Sequence, residues 1–125
     1  MISIRMLKRA FYVFPAFLLA IAFAAPSSGA GVEENYRFYC AQCHGVYGKG
    51  DGPNATREMP VSPRDHTNAL EMNKLTDEDV INAIAEGGPA TSKSSLMPPF
   101  GKTLSKNEIV ELKNYIRKLC NCKGK

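Results

Sequence analysis

Cys40-Ala41-Gln42-Cys43-His44 concentrates two thiols and an imidazole within five residues. At this C-x-x-C-H spacing one helical turn sets both thiols on the same face, where they can add to two vinyl groups of a porphyrin. The next residue then brings an imidazole beneath the iron, which is the arrangement of c-type haem attachment. Two other chemistries use such cysteines: a redox-active disulfide between Cys40 and Cys43, or a four-cysteine zinc site shared with Cys120 and Cys122. The first needs a βαβ pattern, which is absent, and the second leaves His44 and the 89–102 loop unexplained. One covalent haem c with its iron accounts for all of these residues.

A haem iron held by His44 has a second axial position, and Met97 is the candidate for it. It lies in Ser95-Leu96-Met97-Pro98-Pro99-Phe100-Gly101, 53 residues after His44. The paired prolines restrict the backbone and can hold the thioether at a fixed place. His/Met ligation favours ferrous haem and raises the potential. Met59, Met72 and His66 compete for the role, but none of them adjoins two prolines.

Three helices must position these groups. Val32–Tyr39 places Val32, Tyr36 and Tyr39 on one apolar face and runs directly into Cys40. Thr76 to Glu86 opens with an approximate capping box, Thr76 and Asp79, packs Val80, Ile81 and Ile84 on one side, and stops at Gly87-Gly88. Ser105 to Leu119 opens with Ser105 and Glu108 and repeats Ile109, Leu112, Ile116 and Leu119 at helical spacing. Gly45–Ser62 and Pro89–Lys102 are rich in turn residues, and no strand-like alternation of useful length occurs. The expectation is an all-α domain over 31–120 with a basic, cysteine-containing tail at 121–125. Two long loops in so small a chain need a surface to pack on, which a prosthetic group would provide.

The amino terminus reads as a targeting segment. Arg5, Lys8 and Arg9 precede sixteen uncharged residues, Ala10 to Ala25, and then a run of small residues. Sixteen residues rise about 24 Å as a helix, short of the roughly 30 Å of bilayer hydrocarbon, so a cleaved signal peptide over 1–24 is expected. Cleavage after Ala24 or Ala30 leaves 101 or 95 residues, and an uncleaved membrane anchor is the alternative. The charge follows this division. Of 16 cations against 12 acids in 125 residues, three cations belong to the leader, so the remainder is 13 against 12. No basic stripe with interleaved aromatics marks a nucleic-acid binder, and the size excludes a multidomain enzyme.

Together, Cys40–His44 with Gly45, the Gly48–Pro53 loop, Ser62-Pro63-Arg64-Asp65, Leu75–Asp79, Glu86-Gly87-Gly88, Met97–Gly101 and Leu104-Ser105 leading to Tyr115-Ile116 resemble a class I monohaem cytochrome c of the bacterial periplasmic type. The resemblance spans Tyr36 to Leu119. It implies three main helices and loops wrapped around one haem, first and last helices crossing near Tyr36 and Tyr115, and the haem between His44 and Met97. It further implies that the Pro53 carbonyl accepts a hydrogen bond from the far nitrogen of His44, and that Arg64 pairs with a haem propionate. An ion pair between Arg64 and Asp65 is the plainer alternative. Two features depart from the family pattern: Val32 stands where a small residue often lets the helices approach, and Cys120-Asn121-Cys122 ends the last helix. That cysteine pair could close a small ring, link two chains into a dimer through Cys120 or Cys122, or bind a metal with a partner.

The function expected is a periplasmic one-electron carrier, not an enzyme, exchanging electrons with redox protein partners at an exposed haem edge near Lys49, Lys93 and Lys102. The alternative is a haem subunit of a larger oxidoreductase, or a haem protein whose Met97 leaves the iron to admit peroxide or a gas.

Overall fold

The computed structural model describes residues 31–125; the leader segment and its candidate cleavage points lie outside the described residues. Short α1 (Val32–Asn35) continues through a π-helical turn at Tyr36–Cys40 into α2 (Ala41–His44). Then come α3 (Ala69–Met72), α4 (Asp77–Ala90) and α5 (Lys106–Cys120), with no strand among the described residues. The fold is all-α.

The first helical run is longer than its spacing predicts, and its period changes midway. Tyr36 and Ala41 are five residues apart, yet both are buried, as the wider π turn allows. Such a turn re-aims everything after it, and here the residues after it are Cys40, Cys43 and His44.

Both capping boxes form. Thr76 Oγ1 accepts from the Asp79 amide at 3.0 Å while the Asp79 carboxylate accepts from the Thr76 amide at 2.8 Å. Ser105 and Glu108 do the same, at 3.3 and 2.8 Å. The regular turns of α4 end at Gly87 (φ 78°, ψ 177°), after which a short turn carries Gly88 to Ala90. α5 presents Ile109, Leu112, Ile116 and Cys120 to the core, with Leu119 half-buried beside them. It packs against α1, α3 and α4. The crossing with the first helix falls where expected: the rings of Tyr36 and Tyr115 lie 5.0 Å apart.

The end of α5 is closed by the chain itself. Buried Arg117 donates to Asp77 Oδ1 at 2.9 Å and to the carbonyls of Met72 and Leu75 at 2.8 and 2.7 Å. Asn121 stops the helix in a left-handed conformation (φ 47°, ψ 46°). The Gly124 amide then donates to Asn73 Oδ1. Cys120 and Cys122 are joined to each other in an intrachain disulfide. A dimer linked through either of them, or a metal held by them, is therefore overturned, because neither sulfur is free. Among the described residues, no helix is long and apolar enough to cross a membrane.

Candidate functional site

The C-terminal carbonyls of α2 are capped by the loop that follows. The amides of Asn54, Gly52 and Gly50 donate to the carbonyls of Gln42, Cys43 and His44 at 2.8, 3.1 and 2.7 Å, satisfying acceptors that the helix end would otherwise leave bare. The approach is so close that a Cβ on Gly52 would overlap the carbonyls of Ala41 and Gln42. The Cys-x-x-Cys-His turn is thus held from outside by the glycine-rich loop.

The chain next passes beneath His44. His44 Nδ1 bonds the Arg64 carbonyl at 2.9 Å. This corrects the expected partner, Pro53. The 50–54 loop spends its bonds on α2 backbone and leaves Pro53 exposed, while the Pro63-Arg64 segment supplies the acceptor. Because a carbonyl can only accept, His44 carries its proton on Nδ1, and the Nε2 lone pair remains available to a metal. Burial holds His44 below the usual imidazole value, partly opposed by that same carbonyl, so the ring is neutral at pH 7.

Cys40 and Cys43 are free thiols. Burial, reinforced by Cys43, pushes the Cys40 thiol up to about 12. Both face a cavity of about 990 Å³ that His44, Met97, Val80, Ala83, Ile84, Phe100 and Ile116 also line. That volume is at the upper end of the roughly 300–1,000 Å³ typical of cofactor sites.

Met97 reaches this cavity on a loop fastened to α4. The Gly88 amide donates to the Met97 carbonyl at 3.0 Å, and the amides of Phe100 and Gly101 donate to Ile84 and Ala85 at 2.9 Å each. Gly87 makes the approach feasible: a Cβ there would stand 2.8 Å from the Met97 carbonyl oxygen and 2.9 Å from the Pro99 nitrogen. Pro98 and Pro99 have no amide hydrogen to leave unpaired. Met59, Met72 and His66 line the same cavity. Met72, however, is only 1 % exposed and belongs to the core.

The Arg64 side chain pairs with Glu71 at 3.6 Å, not with Asp65, whose carboxylate accepts from Thr67. Lys93 lines the cavity; Lys49 and Lys102 do not. Sequence reasoning missed the place of His66: its ring is buried and stacked on His44 with centroids 4.1 Å apart. The only signal was its position two residues after Arg64.

Two thiols, an imidazole with a free Nε2 and a thioether around one apolar cavity are the donor set that a covalently attached haem uses, and the residues fit that group. Comparison with known proteins agrees. Residues 27–116 match the family described as cytochrome c oxidase, cbb3-type, subunit III. Among solved structures, the KustC0563 c-type cytochrome is similar at 27% identity and a TM-score of 0.56, covering 71% of this chain and 96% of that one. A chain of the Kuenenia stuttgartiensis reducing HAO-like protein complex Kustc0457/Kustc0458 is similar at 27% identity and a TM-score of 0.58, over 73% of this chain but only 42% of that one. No curated protein matches. The cavity, its donors and these likenesses converge: the chain belongs to the cytochrome c oxidase, cbb3-type, subunit III family and is a c-type cytochrome, a haem-based electron-transfer protein.

Proposed function

We propose that this chain is an exported one-electron carrier with a single covalent haem, His44 and Met97 being its axial ligands and Cys40 and Cys43 its points of attachment. Bound there, the haem supplies a one-electron iron couple. The chain's own residues do the rest. The Arg64 carbonyl holds the Nδ1 proton of His44 and so keeps Nε2 unprotonated. The α4 anchors hold the Met97 loop. Val80, Ile84, Phe100 and Ile116 keep the cavity apolar. Arg64, half-exposed at the cavity wall, is placed to exchange Glu71 for a propionate. Redox partners would dock at the cavity mouth beside Lys93.

The observation that carries this reading is the meeting of His44, with its proton committed to Arg64, with two free cysteines and Met97 at one cavity. A pyridine haemochrome assay with intact mass on exported protein tests it. One covalent haem on a chain of 101 or 95 residues is expected; a mature chain without covalent haem sinks the reading, and an uncleaved mass moves the protein to a membrane anchor. Met97→Ala should abolish the long-wavelength ferric band that the family shows for methionine ligation. Persistence of the band moves the ligand elsewhere.

A second reading, a haem subunit of a larger oxidoreductase, is favoured by the likeness to part of a chain from a multi-protein complex. Co-purification of the native protein with a catalytic partner would support it. Carbon monoxide binding to the reduced protein would favour an opening sixth position over pure electron carriage.

A further inference from the structure

His66 has no task in the proposed mechanism, yet it is 7% exposed and sits against the residue that matters most to it. A buried imidazole needs a partner for its polar atoms, which a leucine or phenylalanine in the same space would not. His66 has one: its Nδ1 and the Tyr36 hydroxyl are joined by a hydrogen bond of 2.9 Å. Its amide donates to the Gly48 carbonyl at 2.6 Å. Tyr36 is itself fully buried, packed on Tyr115 where the first and last helices cross.

The pair fixes an otherwise soft torsion. The outer torsion of a histidine is broad, so packing alone leaves its ring free to twist. The Tyr36 bond removes that freedom. His66 then presents a flat face to His44, with planes 16° apart and centroids 4.1 Å apart. His44 is thereby held twice: at Nδ1 by the Arg64 carbonyl, and over its face by His66.

We propose that His66, locked by Tyr36, is a positioning residue that sets the plane in which His44 presents Nε2 to the haem iron. The proposal rests on the haem reading above. Groups that orient a ligating imidazole also raise its basicity, and a more basic ligand favours the ferric state. If the stack is lost, His44 twists away from alignment with the Arg64 carbonyl, its basicity falls, and the couple moves toward ferrous iron.

The test compares wild type with His66→Leu, which removes stack and hydrogen bond, and Tyr36→Phe, which removes the bond and keeps the aromatic packing. Each is loaded with haem, checked by pyridine haemochrome, and measured by redox titration and by electron paramagnetic resonance of the ferric protein. His66→Leu should broaden and displace the ferric signal and shift the redox equilibrium at least threefold toward the ferrous form, about 28 mV at about 59 mV per tenfold for one electron. Tyr36→Phe should give a smaller shift of the same sign, and the double variant no more than His66→Leu alone. An unchanged ferric signal and couple in haem-loaded His66→Leu, or a shift toward ferric, overturns the positioning role. Where His66→Leu does not accumulate as a folded protein, Tyr36→Phe decides by the same criteria. Wild type without covalent haem removes the haem reading and this role with it, whereas normal haem in all three with unchanged spectra removes this role alone.

Discussion

The two sides of this small domain are finished by different means. Around the end of α5, the chain supplies every partner: Arg117 meets Asp77 and two backbone carbonyls, Lys113 adds a second bond to Asp77 at 2.7 Å, and the tail returns to Asn73 and Leu75. Around the cavity, the loops leave apolar surface open. Val61 and Leu96 line it and are 54% and 48% exposed. The first side is closed by hydrogen bonds and core packing, the second only when a large apolar guest is present. The contrast teaches where stability has to come from: a domain this short buries too little surface to complete both sides unaided.

The contrast breaks most visibly if the guest is withheld. Replacing both Cys40 and Cys43 by Ala, so that haem cannot be attached, should remove on the order of 5 kcal/mol or more, most of the stability expected of such a domain. Urea unfolding followed by circular dichroism is the check. A cooperative transition close to that of the haem-loaded protein would show that the loops stand without the guest.

On the other side, Arg117→Ala should cost about 2–4 kcal/mol, since it leaves buried carbonyls of Met72 and Leu75 without a donor. Haem absorbance should be retained at low denaturant and the urea midpoint lowered. The same clamp carries a pH signature. Hydrogen bonds from Lys113 and Arg117 hold the Asp77 carboxyl below the usual carboxylate range. A depressed folded-state value means that its stabilisation is complete above the unfolded value of about 3.9 and is lost as pH falls through the folded one. Asp77→Asn should therefore flatten the acid limb of the stability profile below about pH 4, and a profile as steep as wild type would place acid sensitivity elsewhere.

Where the two sides meet, Gly87→Ala should cost about 1–3 kcal/mol, because it forces a side chain into a left-handed position against the Met97 loop. It should also weaken the ferric methionine band, a double effect that a change in the clamp would not produce. The smallest effect belongs to the Cys120–Cys122 disulfide. A closed loop of three residues removes little unfolded-state entropy, so replacing both cysteines by Ser should cost only about 1–2 kcal/mol. A drop as large as that of Arg117→Ala would make the disulfide, and not the guanidinium, the main closure of the tail.

The parts legible in the chain were those set by neighbours in sequence. The haem-binding pentapeptide, the two capping boxes and the apolar stripe of α5 all depend on spacings of a few residues, and all are in place. Met97 could be singled out because its prolines adjoin it. The four-residue α3 passed unread, since a helix so short owes its existence to packing on α5 and to the Asn68 side chain capping the Glu71 amide. The π turn passed unread for a related reason. Val32, Tyr36 and Tyr39 satisfy an ordinary helical face, and only burial of both Tyr36 and Ala41 demands the extra residue.

Local chemistry therefore settled what this protein carries: two thiols and an imidazole at fixed offsets are a property of five consecutive residues, whatever surrounds them. Tertiary structure decided how that group of residues is held. The choice of Arg64 over Pro53 as the acceptor for His44, of Glu71 over Asp65 as the partner of Arg64, of one chain over two for the disulfide, and the stacking of His66 on His44 all depend on where loops return after many residues. A hydrogen bond or a stack is decided by distances within a few tenths of an ångström. Those distances follow from the packing of α1 and α5 and from the close approach allowed by Gly52 and Gly87, and not from the identity of any single residue.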